Sequence, residues 1–195
     1  MNVQNFFEAS LRESAEVKTR AIEQCAIDVA RAVDLIVACY RNGGKLLLCG
    51  NGGSAADAQH LATEMMIRLS HDITRPSLAA ISLGTDTSNL TACGNDLGFE
   101  QIFARNIEGL GRAGDVLIAI STSGRSPNIL RAVERARDCG MKTIALTGGN
   151  GGPLRERVDV AIVIPSMNTQ RIQEVHITIG HVICESTEQI LYGES

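Results

Sequence analysis

The sequence predicts an α/β fold in which one five-stranded parallel sheet is covered by helices on both faces and preceded by two leading helices. Three observations carry this. Five short apolar runs, at 45–49, 78–81, 116–120, 143–146 and 160–164, alternate with amphipathic stretches of helical period; runs that stay apolar on both sides belong to strands of a parallel sheet buried on both faces. Glycines or hydroxyl residues follow several of the runs directly, as βα turns require. The length of 195 residues, 44% hydrophobic and 21% charged, suits one core, so the chain reads as a single domain, with leading helices over 1–42 and a doubly wound core over 45–192.

Residues 3–19 are amphipathic, and Ile22, Cys25, Val29, Val33, Ile36 and Tyr40 recur at helical spacing, which predicts two helices. Asn42-Gly43-Gly44 ends the second. Lys45 to Cys49 is the first strand, Gly50-Asn51-Gly52-Gly53 a loop, and Ser54 an N-cap for a helix running to about Leu69, with Ala58, Leu61, Ala62, Met65 and Leu69 as its apolar stripe. His71 to Pro76 is an exit loop. Further helices are predicted near 97–110, 126–138 and 153–157, and Thr169 to Tyr192 reads as one long helix.

Lys and Arg number 18 against 22 Asp and Glu, a net charge of −4. That lacks the basic footprint of a nucleic-acid groove. No apolar run approaches the roughly 20 residues that span a bilayer, and residues 1–20 lack the pattern of a signal peptide. The six cysteines are dispersed without a CxxC pair, as buried thiols of a reducing compartment are. A cytoplasmic protein without nucleic-acid or membrane partners is expected.

In an open α/β sheet, ligands bind beyond the carboxyl ends of the strands. Two loops there are suggestive: Gly50-Asn51-Gly52-Gly53-Ser54, where glycines allow close approach of an anion to backbone N–H groups, and Ser121-Thr122-Ser123-Gly124-Arg125-Ser126, which gathers hydroxyls at a helix start. Together they predict a phosphate cradle, although Ser and Thr also serve as ordinary caps and turn formers. Neither a Walker loop nor GxGxxG is present, so nucleotide binding is not expected. Gly148 to Gly152 reads as a tight turn. His60 and Glu64, at i and i+4 with Asp57 one turn earlier, suit two ligands of one metal ion, and equally a solvated helical face. On the last helix, Gln173 and His181 are eight residues apart, about 12 Å along the axis. One helix cannot bring both to one small ion without strain, which predicts an oligomer with sites between subunits.

Taken in order, Gly50-Asn51-Gly52-Gly53-Ser54 with Asp57-Ala58-Gln59-His60, Gly94-Asn95-Asp96, Ser121-Thr122-Ser123-Gly124 with Ser126, and Arg171-Ile172-Gln173-Glu174-Val175-His176 resemble the sugar isomerase (SIS) fold, a three-layer sandwich, and within it the phosphoheptose (sedoheptulose 7-phosphate) isomerase family. The resemblance covers essentially the whole chain. It implies a cytoplasmic homotetramer that converts sedoheptulose 7-phosphate to D-glycero-D-manno-heptose 7-phosphate, the first step of activated-heptose synthesis for lipopolysaccharide. It further implies one Zn2+ per subunit held by His60, Glu64, Gln173 and His181, with Glu64 and His181 as the acid/base pair. Substrate contacts implied are Asn51, Gly52, Gly53, Glu64, Asn95, Asp96, Ser121, Thr122, Ser123, Ser126 and Gln173. Some members carry a carboxylate just before Arg-Ile-Gln-Glu, where this chain has Gln170. The alternative is a non-catalytic SIS binding protein of the replication-initiator-associating type, which lacks part of the metal and acid/base set.

Overall fold

The computed structural model describes residues 1–193. In chain order the elements are α1 (Val3–Arg41), β1 (Leu46–Gly50), α2 (Gly53–Met66), β2 (Ala80–Ser82), α3 (Thr87–Asp96), a 3-10 turn at Phe99–Gln101, α4 (Ile102–Leu110), β3 (Val116–Ile120), α5 (Pro127–Asp138), β4 (Lys142–Gly148), a 3-10 turn at Gly152–Arg157, β5 (Val160–Ile164) and α6 (Thr169–Tyr192). The five strands form one all-parallel sheet in the order β2-β1-β3-β4-β5. Alternation along each strand divides the core. Leu46, Leu48, Ile118, Ile120 and Leu146 face a layer of α1, α2 and α6, while Leu47, Cys49, Leu117, Ala119 and Ala145 face α4 and α5.

The leading segment is one helix rather than the two expected. No glycine or proline interrupts residues 17–25, and Val17, Ala21, Cys25, Ala32, Val33 and Ile36 continue one buried stripe across the expected break. At 39 residues α1 is about 58 Å long, longer than the sheet can cover. Phe6, Phe7, Leu11, Ile22 and Ile27 remain exposed.

Three boundaries also differ from expectation. Gly52, not Ser54, is the N-cap of α2, and Ser54 lies buried in the first turn. The same helix stops at Met66 instead of Leu69. The strand expected over 78–81 starts at Ala80, because the Leu78 N–H donates to the Met65 carbonyl at 3.2 Å and not to a neighbouring strand. All six cysteines are free, five buried and Cys139 half-buried. No helix among the described residues is long and apolar enough to cross a membrane.

Candidate active site

The strand order places a topological switch at β1. The chain leaves β1 for β2 on one side, while β3 lies on the other, so the loops after β1 and β3 diverge and leave a crevice. A reciprocal amide pair joins its walls: Asn51 Nδ2 donates to Asn128 Oδ1 at 2.9 Å and Asn128 Nδ2 to Asn51 Oδ1 at 2.8 Å. Two helices start here, α2 at Gly52 and α5 at Ser126. Gly52 has no side chain to cap with, and the Ser126 side chain makes no capping bond. The N–H groups of Ser54, Ala55 and Ala56 donate to the Asn51 and Gly52 carbonyls and those of Ile129 and Leu130 to the Ser126 carbonyl, so the Gly53 and Asn128 N–H groups are the first-turn donors left for a ligand. The Ser126 hydroxyl, free of capping, lies 3.3 Å from the buried Ser121 hydroxyl. Ser123 Oγ accepts from the Arg125 N–H at 3.3 Å, and Thr122 is half-buried beside it. Hydroxyls and unclaimed N–H groups around one point can hold a dianionic phosphate.

The glycine cluster after β4 does more than turn the chain. Gly124 has φ +61°, and a Cβ there would lie 1.9 Å from the Gly151 carbonyl oxygen; a Cβ on Gly152 would lie 2.5 Å from the Ser123 oxygen. The Leu154 N–H donates to the Gly124 carbonyl at 3.2 Å. The loop after β4 therefore buttresses the hydroxyl loop by backbone-to-backbone contact that only glycine permits.

Helices α2 and α6 run parallel, matched residue for residue. Gly53 faces Gln173, with the Gln173 amide nitrogen 2.6 Å from where a Cβ would project, and Leu61 packs onto Gly180. Beside the second of those contacts His60 Nε2 lies 2.8 Å from His181 Nε2, and 3.4 Å from Glu64 Oε1. Asp57, one turn before His60, has a buried Oδ2 with no partner among the described residues. Burial raises its pKa, an effect the nearby His60 and His181 imidazoles partly oppose.

Two imidazole nitrogens and a carboxylate suit a divalent transition metal. Their present spacing is that of a hydrogen bond; nitrogens bound at ~2.1 Å to one tetrahedral ion stand about 3.4 Å apart, so a small opening is needed. Among the described residues no three His, Cys, Asp or Glu side chains close around an ion unaided. Gln173 does not complete the set within one chain, since it sits at Gly53, about 12 Å along α6 from His181.

Asn95 and Asp96 occupy the last turn of α3, a helix that the pattern did not predict. Both are exposed, and Asn95 Nδ2 donates to Asp96 Oδ1 at 2.7 Å. His71 is exposed. His176, on the same helix as His181, is fully buried, its Nε2 3.0 Å from the Thr147 carbonyl oxygen. Asn128 escaped notice because a polar residue in a first helical turn carries no distinguishing signal.

The sequence pattern of the SIS domain matches residues 10–148. A phosphoheptose isomerase from Roseiflexus sp. (strain RS-1) is 51% identical over 184 residues, 94% of this chain and 92% of that protein. Among solved structures, a phosphoheptose isomerase from Neisseria gonorrhoeae is 43% identical with TM-score 0.90, over 96% of this chain and 100% of that one. Another, from Francisella tularensis, is 40% identical with TM-score 0.93, over 97% and 100%.

Proposed function

The chain belongs to the SIS domain family and, within it, to the phosphoheptose isomerases, and from that footing we propose how it acts on its substrate. It is an aldose–ketose isomerase that interconverts sedoheptulose 7-phosphate and D-glycero-D-manno-heptose 7-phosphate. One observation carries the mechanism: His60, Glu64 and His181 converge on two parallel helices, and the starts of α2 and α5 flank the hydroxyl loop. A sugar phosphate anchored at the loop extends along α2 toward Glu64.

The phosphate is held by Ser121, Thr122, Ser123 and Ser126 with the open N–H groups. Asn51, Gly52 and Gly53 line the sugar, and Asn95 and Asp96 contribute from α3. Isomerisation moves a proton between adjacent carbons through an enediol, while the neighbouring oxygens exchange one. Glu64 takes the carbon-bound proton and returns it one carbon along, and the His181 imidazole serves the oxygens. His60, Glu64 and His181 are the residues that would hold Zn2+, with Gln173 of a neighbouring subunit as a further donor; a bound ion would supply positive charge opposite that developing on the sugar oxygen. A binding-protein role is disfavoured, because the imidazole and carboxylate set is complete.

The exposed apolar residues of α1 and a groove of about 640 Å3 between α1 and α6, lined by Ile22, Cys25, Val29 and Val182 among others, support a homotetramer with sites between subunits. Six unpaired cysteines and a phosphorylated substrate support a cytoplasmic setting, at the first step of activated-heptose synthesis. The test is conversion of sedoheptulose 7-phosphate in D2O, followed by NMR with metal-loaded protein. Wild type is expected to yield aldose carrying deuterium at the carbon next to the carbonyl. Glu64→Gln should turn over at least ~100-fold more slowly while still binding inorganic phosphate. No aldose from wild type contradicts the function, and near-wild-type turnover by the variant removes Glu64 from it.

A further inference from the structure

Between α2 and β2 lies a buried guanidinium that the reaction scheme leaves unused. The Arg75 and Glu188 side chains are 1% and 4% exposed. Arg75 Nε donates to Glu188 Oε1 at 2.6 Å, Nη1 to the Met65 carbonyl at 2.8 Å and the Pro76 carbonyl at 3.0 Å, and Nη2 to the Glu64 carbonyl at 2.8 Å. One planar fork thus takes two of the carbonyls that the last turn of α2 leaves without helical partners. The carboxylate it pairs with stands on α6, seven residues beyond His181, and also accepts from the Leu69 N–H at 3.4 Å.

A buried ion pair adds little net stability over apolar residues of the same volume, but its geometry is demanding. Here that geometry joins the turn bearing Glu64 to the helix bearing His181. We propose that Arg75 and Glu188 are positioning residues for the isomerisation, a clamp that fixes the Glu64 end of α2 against α6 and so sets the spacing of His60, Glu64 and His181. The proposal rests on the acid/base reading above. The phosphate loop follows β3 on the far side of the crevice and has no bond to the clamp.

Arg75→Lys keeps the charge beside Glu188 but cannot reach both helix carbonyls at once. In the folded, full-length variant, kcat is expected to fall at least tenfold. Affinity for Co2+, followed by visible absorption, should fall by a similar factor, while KM and the inhibition constant of inorganic phosphate stay within twofold. Unchanged kcat and Co2+ affinity would overturn the proposal. So would a parallel loss of phosphate affinity, which marks a general structural role. Should Arg75→Lys fail to fold at the assay temperature, Glu188→Gln, which keeps shape and loses charge, is read by the same measures. If wild type itself does not isomerise the heptulose phosphate, Co2+ affinity against phosphate affinity still decides the clamp.

Discussion

At His176 the protein buries a titratable ring that its chemistry does not use. The ring donates from Nε2 to the Thr147 carbonyl, and its Nδ1 has no partner among the described residues. Burial lowers its pKa from 6.5 to about 4, against the opposing effect of that hydrogen bond. In the window between those values the unfolded chain binds a proton that the folded chain refuses. Stability is therefore complete above pH ~6.5, declines as pH falls toward 4, and loses on the order of 3 kcal/mol across the window. Denaturant unfolding at pH 7 and pH 4.5 should show this decline, and His176→Gln should flatten it; an equal slope in the variant would assign the acid limb to other groups. The pairing of His60 with Glu64 was legible because i, i+4 spacing fixes it. The burial of His176 was not, since it depends on where the end of β4 meets α6.

Among the elements, the hydroxyl loop shows how a neighbour sets local geometry. Gly124→Ala places a Cβ on the Gly151 carbonyl at a left-handed φ. It should weaken inorganic phosphate binding at least tenfold and lower Tm. Gly43→Ala is the control: its φ is +74° but its surroundings are open, so it should lower Tm and leave phosphate binding unchanged. Equal phosphate affinity in the two variants would show that the buttress does not shape the cradle. Strands β1, β3, β4 and β5 were legible because continuous apolar runs have few other uses. Helix α3 was not. Thr87 to Asp96 is mostly polar, contains Gly94, and buries Cys93 alone, so it carries no apolar stripe to read. The break placed in α1 came from reading residues 3–19 and the stripe from Ile22 to Tyr40 as separate amphipathic stretches, whereas the buried stripe runs on through Val17, Ala21 and Cys25.

For the whole molecule, the parallel run of α2 beside α6 decides how a site is divided. The eight-residue gap between Gln173 and His181 was visible in the sequence and implied a second chain. Which residue stays at home was not visible, because it depends on the helix register. The contact of His60 with His181 brings Glu64 and His181 together within one chain, and Gln173, seated at Gly53, is the residue that the proposed function assigns to a neighbour. Under the proposed function each isomerising centre consists of one chain's His60, Glu64 and His181, completed by Gln173 of another. Subunit mixing tests this most directly, by turnover of sedoheptulose 7-phosphate after separately inactive proteins are dissociated, combined and reassembled. Glu64→Gln with Gln173→Ala should regain activity, because some mixed sites receive both native residues, whereas Glu64→Gln with His181→Gln should regain none. Rescue in the second mixture, or its absence from the first in demonstrably mixed oligomers, would contradict the account.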